Sequence, residues 1–203
     1  DELAGHLLLG LGPRGVPENL QGSVVTFGYN KIDELEELLS TNKNIGAIRM
    51  EVSRNQPPTN NFLSKVRELA DREHLVLIFD ECTSGFRQSY GGLHLNYDKY
   101  LHPDMALFGK AIGNGYAITA ILGKEKIMKN ANKSFISSTF WTERIGPVAG
   151  LKTLEIMERE KSWEQITSMG GKIGKRWQEL ANKHDLPIEI SGLPALVNFS
   201  IPV

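Results

Sequence analysis

Two apolar runs limit what this chain can fold into. Leu75-Val76-Leu77-Ile78-Phe79 ends at Asp80-Glu81, and Met105-Ala106-Leu107-Phe108 runs into Gly109-Lys110. Neither run alternates with polar residues, so each reads as a strand buried on both faces, as in a parallel sheet. Ligands of open parallel sheets sit outside the carboxyl ends of the strands. An acid, Asp80, and a lysine, Lys110, thirty residues apart, are therefore expected at the same sheet edge, holding opposite ends of one ligand.

The flanking sequence supports that frame. Ile45-Gly46-Ala47-Ile48-Arg49-Met50 reads as a strand ending at Glu51, and a helix with Phe62, Val66, Leu69 and Ala70 on its apolar face follows a loop at Pro57-Pro58, capped by Thr59 or Asn60. Strand, helix, strand is a βαβ unit, and parallel pairing places Glu51 beside Asp80. Upstream, Val24-Val25-Thr26-Phe27 suggests a short strand. Asn30 and Asp33 suggest a capping box for a helix burying Ile32, Leu35, Leu38 and Leu39. Downstream, the glycine turn Gly113-Asn114-Gly115 leads to a strand over 117–122, and residues 145–157 have helical spacing. A last helix starts at a Ser162/Gln165 capping box and is expected to bury Ile166, Met169, Ile173, Trp177 and Leu180. A charged stretch, Glu158-Arg159-Glu160-Lys161, suits a boundary, giving residues 1–158 to a large domain and 159–203 to the start of a smaller one with strands at 188–190 and 195–201.

Composition narrows the function classes. With 23 basic and 24 acidic residues the formal net charge is -1, so nothing points to nucleic acid or to a membrane surface. The single Cys82 excludes an internal disulfide and a cysteine-based zinc cluster. No apolar stretch has the length of a membrane span, and the cytoplasm is the default location. Asp1 and Val203 do not read as natural termini, so the chain is expected to be part of a longer polypeptide.

Lys110 lies between a buried strand and a glycine turn, a setting that desolvates an amine and suits a Schiff-base nucleophile, although most lysines are solvated surface residues. Asp80 could cap a helix or, with Glu81, hold a hard cation. Adjacent residues of a strand point to opposite faces, which weakens the cation reading. An acid and a lysine so placed match what pyridoxal phosphate requires: an amine for its aldehyde and a carboxylate for its ring nitrogen. A rival reading makes the chain a non-catalytic nucleotide-binding module through Gly10, Gly12 and Gly15. Pro13 and Pro17 interrupt that motif, which favours a plain turn.

The stretches Phe79-Asp80-Glu81-Cys82-Thr83-Ser84-Gly85-Phe86-Arg87 and Phe108-Gly109-Lys110-Ala111-Ile112-Gly113-Asn114-Gly115-Tyr116 resemble the class III aminotransferases, with glutamate-1-semialdehyde 2,1-aminomutase and its relatives as the nearest branch. Gly15-Val16-Pro17, Tyr29-Asn30, Met50-Glu51, Ser138-Thr139-Phe140 and Gly150-Leu151-Lys152-Thr153-Leu154-Glu155 extend the resemblance along essentially the whole chain. It implies an α/β chain of the fold type I class of pyridoxal phosphate-dependent transferases: the second half of the large domain, with a mostly parallel sheet, and the start of a small α+β domain. Lys110 is then the imine lysine and proton carrier, and Asp80 the partner of the ring nitrogen. Cys82 and Thr83 lie against the cofactor, and Thr139 binds its phosphate in the neighbouring subunit, which implies a homodimer with shared active sites. Glu51 lies near substrate or orders an arginine. The implied reaction moves an amino group from a small-molecule donor to a carbonyl acceptor, or, in an aminomutase, between adjacent carbons of one molecule.

Two positions and one segment depart from the family pattern. Cys82 stands where Val or Ala is usual, and Thr83 where many members have Gln. Trp141-Thr142-Glu143-Arg144 replaces a Gly-Asn-Pro segment, which tells against the aminomutase activity. Glu143 and Arg144 suit either a substrate contact or a surface helix start.

Overall fold

The computed structural model describes residues 17–20 and 22–202; residues 10–15 lie outside them, and with them the rival nucleotide loop. The chain divides into two compact units, Asp1–Ile45 and Gly46–Val203. The boundary expected at 158/159 thus falls inside the second unit.

In the first unit, helix α1 (Ile32–Thr41) buries Leu35 and Leu39. The Asn30/Asp33 capping box does not form. Lys31 is the N-cap, without a side-chain cap bond, and Asn30 is left-handed at φ 66°. Glu34 reaches back instead, its Oε2 accepting the Gly28 N–H at 2.7 Å. Residues 24–27 are not a strand. Val24 and Val25 are exposed, and β-propensity without a neighbouring ladder does not make a strand.

The second unit is built on a four-stranded sheet in the order β1 (Ala47–Met50), β2 (Val76–Asp80), β3 (Met105–Phe108), β4 (Ala120–Gly123). β1, β2 and β3 are parallel, with Met50 opposite Phe79 and Asp80 opposite Leu107. β4 returns antiparallel, Phe108 pairing with Ala120. Helix α2 (Phe62–Arg72) connects β1 to β2 and packs on β2, which completes the expected βαβ unit. Its N-cap is Asn61, one residue past the expected Thr59 or Asn60, in a left-handed conformation and with no side-chain cap bond of its own.

Burial along β2 and β3 alternates, contrary to the expectation of strands buried on both faces: Leu77 and Phe79 are buried, while Val76, Ile78 and Asp80 are half-buried. Leu77 and Phe79 join Phe62, Val66, Leu69 and Ala70 of α2 in the core; nothing comparable seals the other face among the described residues. A polar clasp closes the α2 side. Asp104 accepts from the Leu77 N–H (2.8 Å), Lys124 Nζ (2.7 Å) and Arg67 Nη1 (3.2 Å).

After β4 come the short helix α3 (Glu125–Met128), α4 (Ile145–Glu160) and α5 (Ser162–Lys183). Leu154 of α4 packs with Ile118 against the cluster Phe86, Ala106, Phe108 and Ile112. The apolar spacing that predicts α4 does not mark a buried face, because Ile145, Val148, Leu151 and Ile156 are all exposed. In α5 the expected stripe is likewise displaced. Met169, Ile173 and Leu180 are exposed, and the buried residues are Gly170, Gly174 and Ala181. Small residues admit close backbone approach: a methyl on Gly170 would stand 1.7 Å from the Pro194 carbonyl oxygen. The Ser162 cap is absent too; Lys161 is the N-cap, and Gln165 donates to the Glu160 carbonyl at 2.8 Å.

The chain ends in an antiparallel pair, β5 (Glu189–Ser191) and β6 (Asn198–Ser200). The turn after β5 is tied to the loop beyond β1 by backbone alone. Gly192 N–H donates to the Asn55 carbonyl (3.2 Å) and Leu193 N–H to that of Arg54 (3.1 Å). No helix among the described residues is long and apolar enough to cross a membrane.

Candidate active site

Parallel register brings the carboxyl ends of β1, β2 and β3 to one edge, and the candidate residues gather there. Asp80 is the last residue of β2. Its Oδ1 accepts the Cys82 N–H at 3.0 Å, and its Oδ2 accepts Arg49 Nη2 at 2.5 Å. Burial alone would raise the Asp80 carboxyl, but the bonds from Arg49 and Cys82 outweigh it and hold the group below the ordinary aspartate value. Asp80 is therefore an anion whose oxygens retain acceptor capacity, since a carboxylate offers about four lone-pair sites. Cys82 behaves oppositely. Burial, the Asp80 hydrogen bond and the Asp80 charge push its thiol up, so it stays a neutral, compact side chain.

Lys110 follows β3 by two residues and opens a short 3-10 turn, Lys110–Ile112. Its backbone is left-handed at φ 45°, a conformation that costs a non-glycine residue roughly 1 kcal/mol or more and clusters at functional sites. Its Nζ donates to Thr83 Oγ1 at 2.9 Å, and among the described residues it enters no ion pair. Lys110 is exposed, not desolvated as its sequence context suggests.

Behind the edge, Glu81 points to the opposite face and is buried to 1% exposure. Its carboxylate accepts Ser84 Oγ (2.5 Å), His94 N–H (2.9 Å) and His94 Nδ1 (2.8 Å). Burial would raise it, yet these donors and the Leu93 N–H hold it below the ordinary glutamate value. Glu81 thus fixes the turn carrying Cys82 and Thr83, and Asp80 and Glu81 share no metal-like site; among the described residues no group of three His, Cys, Asp or Glu could hold one.

Glu51 lies just past β1, half-buried, with Arg54 Nη1 3.8 Å from its Oε1. Thr139 opens the exposed turn Thr139–Thr142, and no hydrogen bond joins it to the Asp80–Lys110 group among the described residues. Glu143 is a helix cap: its carboxylate accepts the Ile145 and Gly146 N–H groups at the start of α4. That explains Glu143 without a substrate. Arg49 was not singled out from sequence. Its signal is a charge inside an apolar strand, at a position paired with Ile78 and so on the same face as Asp80 two residues on.

The residues present fit pyridoxal phosphate. An anionic, partly open carboxylate stands at one strand end, and an exposed lysine amine, held only by a hydroxyl, follows the next strand.

Comparison with known proteins defines first the fold. The chain superposes on the FumI protein of Sphingopyxis sp. MTA144, solved with pyridoxal phosphate, with a TM-score of 0.82 at 22% identity over 93% of this chain and 47% of that one. It superposes on an omega-transaminase from Sphaerobacter thermophilus with a TM-score of 0.78 at 25% identity, over 89% and 43%. This is the α/β fold of pyridoxal phosphate-dependent transaminases. The family follows from the sequence: the class III aminotransferase profile matches residues 21–202, and the chain belongs to that family, whose cofactor is pyridoxal phosphate. It is 38% identical to 3-aminobutyryl-CoA aminotransferase of Cloacimonas acidaminovorans over 89% of its length and 45% of the relative's. It is 30% identical to glutamate-1-semialdehyde 2,1-aminomutase of Natranaerobius thermophilus, over 90% and 44%. The chain spans about half the length of these curated relatives.

Proposed function

We propose that the chain is the lysine-bearing half of a pyridoxal phosphate-dependent aminotransferase that moves an amino group from a small-molecule amino donor to a carbonyl acceptor. The observation that carries this reading is the anionic Asp80 at the end of β2 together with the Lys110 amine just beyond β3, bonded to Thr83 from the turn after Asp80. When bound, the cofactor supplies an aldehyde that condenses with amines and a ring that accepts electrons from a carbon acid. Lys110 Nζ would be the amine that holds the aldehyde, and as a free amine it would serve as the proton carrier beside the reacting carbon. Thr83 Oγ1 orients that nitrogen at 2.9 Å. Asp80 would hold the positive charge of the ring nitrogen, and Cys82 would offer it a small neutral surface. Glu51, with Arg54 near its carboxylate, stands on the substrate side. The Thr139 hydroxyl is a phosphate donor for the neighbouring subunit of a homodimer.

The exposure of Lys110 fits a site that further segments of a full-length enzyme enclose. In that enzyme residues 1–158 belong to the large domain and 159–203 begin the small one, and its place is the cytoplasm. Transfer between two molecules is favoured over an internal amine shift by the higher identity to the aminobutyryl-CoA enzyme than to the aminomutase, and by Trp141-Thr142-Glu143-Arg144 in place of the glycine segment. The test is spectroscopic. Full-length protein should absorb at about 400 nm, lose that band on borohydride reduction, and yield a labelled Lys110 peptide. A protein with no such band and no labelled Lys110 refutes the reading. A screen of amino donors against keto acids and semialdehydes then identifies the pair.

A further inference from the structure

Asp80 is already engaged on both oxygens, and one of its two donors is a full positive charge. The Arg49–Asp80 bond is 2.5 Å long and single-pronged, through Nη2 alone. Arg49 reaches it from β1, where Ile48 and Met50 on either side are buried and the arginine side chain is 65% exposed. The groups facing Asp80 are Arg49 from β1 and Cys82 from the following turn, and the charge of Lys110, from the turn after β3, acts on the same Cys82. Arg49 has no other partner among the hydrogen bonds and ion pairs of the described residues, so its placement answers to Asp80.

We propose that Arg49 is a charge-setting residue of the cofactor site, sharing the Asp80 carboxylate with the cofactor's ring nitrogen and so weakening the hold of that nitrogen on its proton. The inference rests on the proposed function and deepens it. A carboxylate neighbour favours the protonated ring, and a cation on the same carboxylate opposes it. Removal of Arg49 does not neutralise Asp80, because an ordinary aspartate is ionised near neutral pH. The dominant effect of Arg49 on the ring is therefore repulsion. Charge pairs in contact shift proton affinities by about one to three pH units, and the exposure of Arg49, 65% for its side chain, places its effect on the ring at about one unit, or tenfold.

The test uses the full-length holoenzyme loaded with pyridoxal phosphate isotopically labelled at the ring nitrogen, whose NMR shift is followed against pH. Arg49→Met and Arg49→Gln should each raise the titration midpoint of the ring nitrogen by about one pH unit. Arg49→Lys, which restores the charge, should return it toward the wild-type value. An unchanged midpoint in both neutral variants overturns the inference, as does a ring nitrogen that stays protonated throughout in every protein. A midpoint moved equally by Arg49→Lys overturns it as well, since the effect would then be one of shape. Borohydride labelling of Lys110 on the same samples separates the two levels. Labelled Lys110 with an unmoved midpoint removes only the role of Arg49, whereas no labelled Lys110 removes the cofactor reading with it.

Discussion

Replacing Glu81 by alanine tests whether the turn behind the candidate site is held by a buried carboxylate. The substitution removes the acceptor of Ser84 Oγ, the His94 N–H, His94 Nδ1 and the Leu93 N–H at a position only 1% exposed. Leaving buried donors without their acceptor costs about 1–3 kcal/mol for each group, so the loss of several at once should lower the folding constant by roughly two powers of ten or more. Glu81→Gln keeps one acceptor oxygen but turns an amide donor toward either Ser84 or His94, and should cost about 1–3 kcal/mol. The assay is urea unfolding of the full-length apoenzyme followed by tryptophan fluorescence, with Glu155→Ala as an exposed control that pairs with Lys152 on the helix surface. The same variants should also release cofactor faster, because Glu81 anchors the turn carrying Cys82 and Thr83. A Glu81→Ala midpoint indistinguishable from that of the control would refute the reasoning.

Asp104 offers a pH test. Burial would raise its carboxyl, but Lys124, the Leu77 N–H and Arg67 hold it below the ordinary value. A depressed folded value contributes stability that is fully present above the unfolded value of about 3.9 and is lost as pH falls through the folded one. Denaturant midpoints should therefore fall on acidification in the wild type, and less steeply in Asp104→Asn. Cys82, its thiol pushed up by burial and by Asp80, should be alkylated more slowly at neutral pH than an exposed cysteine. Arg49→Met should raise its reactivity no further, and peptide mapping after iodoacetamide reads both. Gly170→Ala places a methyl 1.7 Å from the Pro194 oxygen and should destabilise by about 1–3 kcal/mol, whereas Gly171→Ala, with open space around it, should not; thermal unfolding distinguishes them.

The sheet edge was legible because it rests on short, local signals. Leu75 to Asp80 and Met105 to Lys110 are uninterrupted, and the residues at their ends have few alternative uses. What stayed illegible depends on neighbours far along the chain. Val24 and Val25 have the composition of a strand and no ladder to join. The apolar rows of α4 and α5 predict helices correctly and burial wrongly, since period 3.6 shows that a face exists but not what covers it. Glycines 170 and 174 took the buried side of α5 because closeness to the residues 194–197 turn matters more there than apolar area. The N-cap positions themselves fall on Lys31, Asn61 and Lys161 rather than on the residues expected, because an N-cap stands immediately before the first turn. Asn30 and Asn60 are left-handed instead, and Ser162 is already inside the helix. Arg49 could be found only after register was known.

The tie between the β5 turn and the loop at Arg54-Asn55 runs through main-chain atoms on both sides. The side chains at positions 54 and 55 can therefore change without removing these bonds, so the surface next to Glu51 can be revised while the mechanical linkage persists. Gly192 has little latitude, at φ 89°, where a methyl would also press within 2.7 Å of Asn198 Nδ2, and Leu193 is buried and must keep its N–H. A hinge movement of the C-terminal hairpin would thus pull on the Glu51 loop as a strap pulls on a buckle, whatever the substrate happens to be.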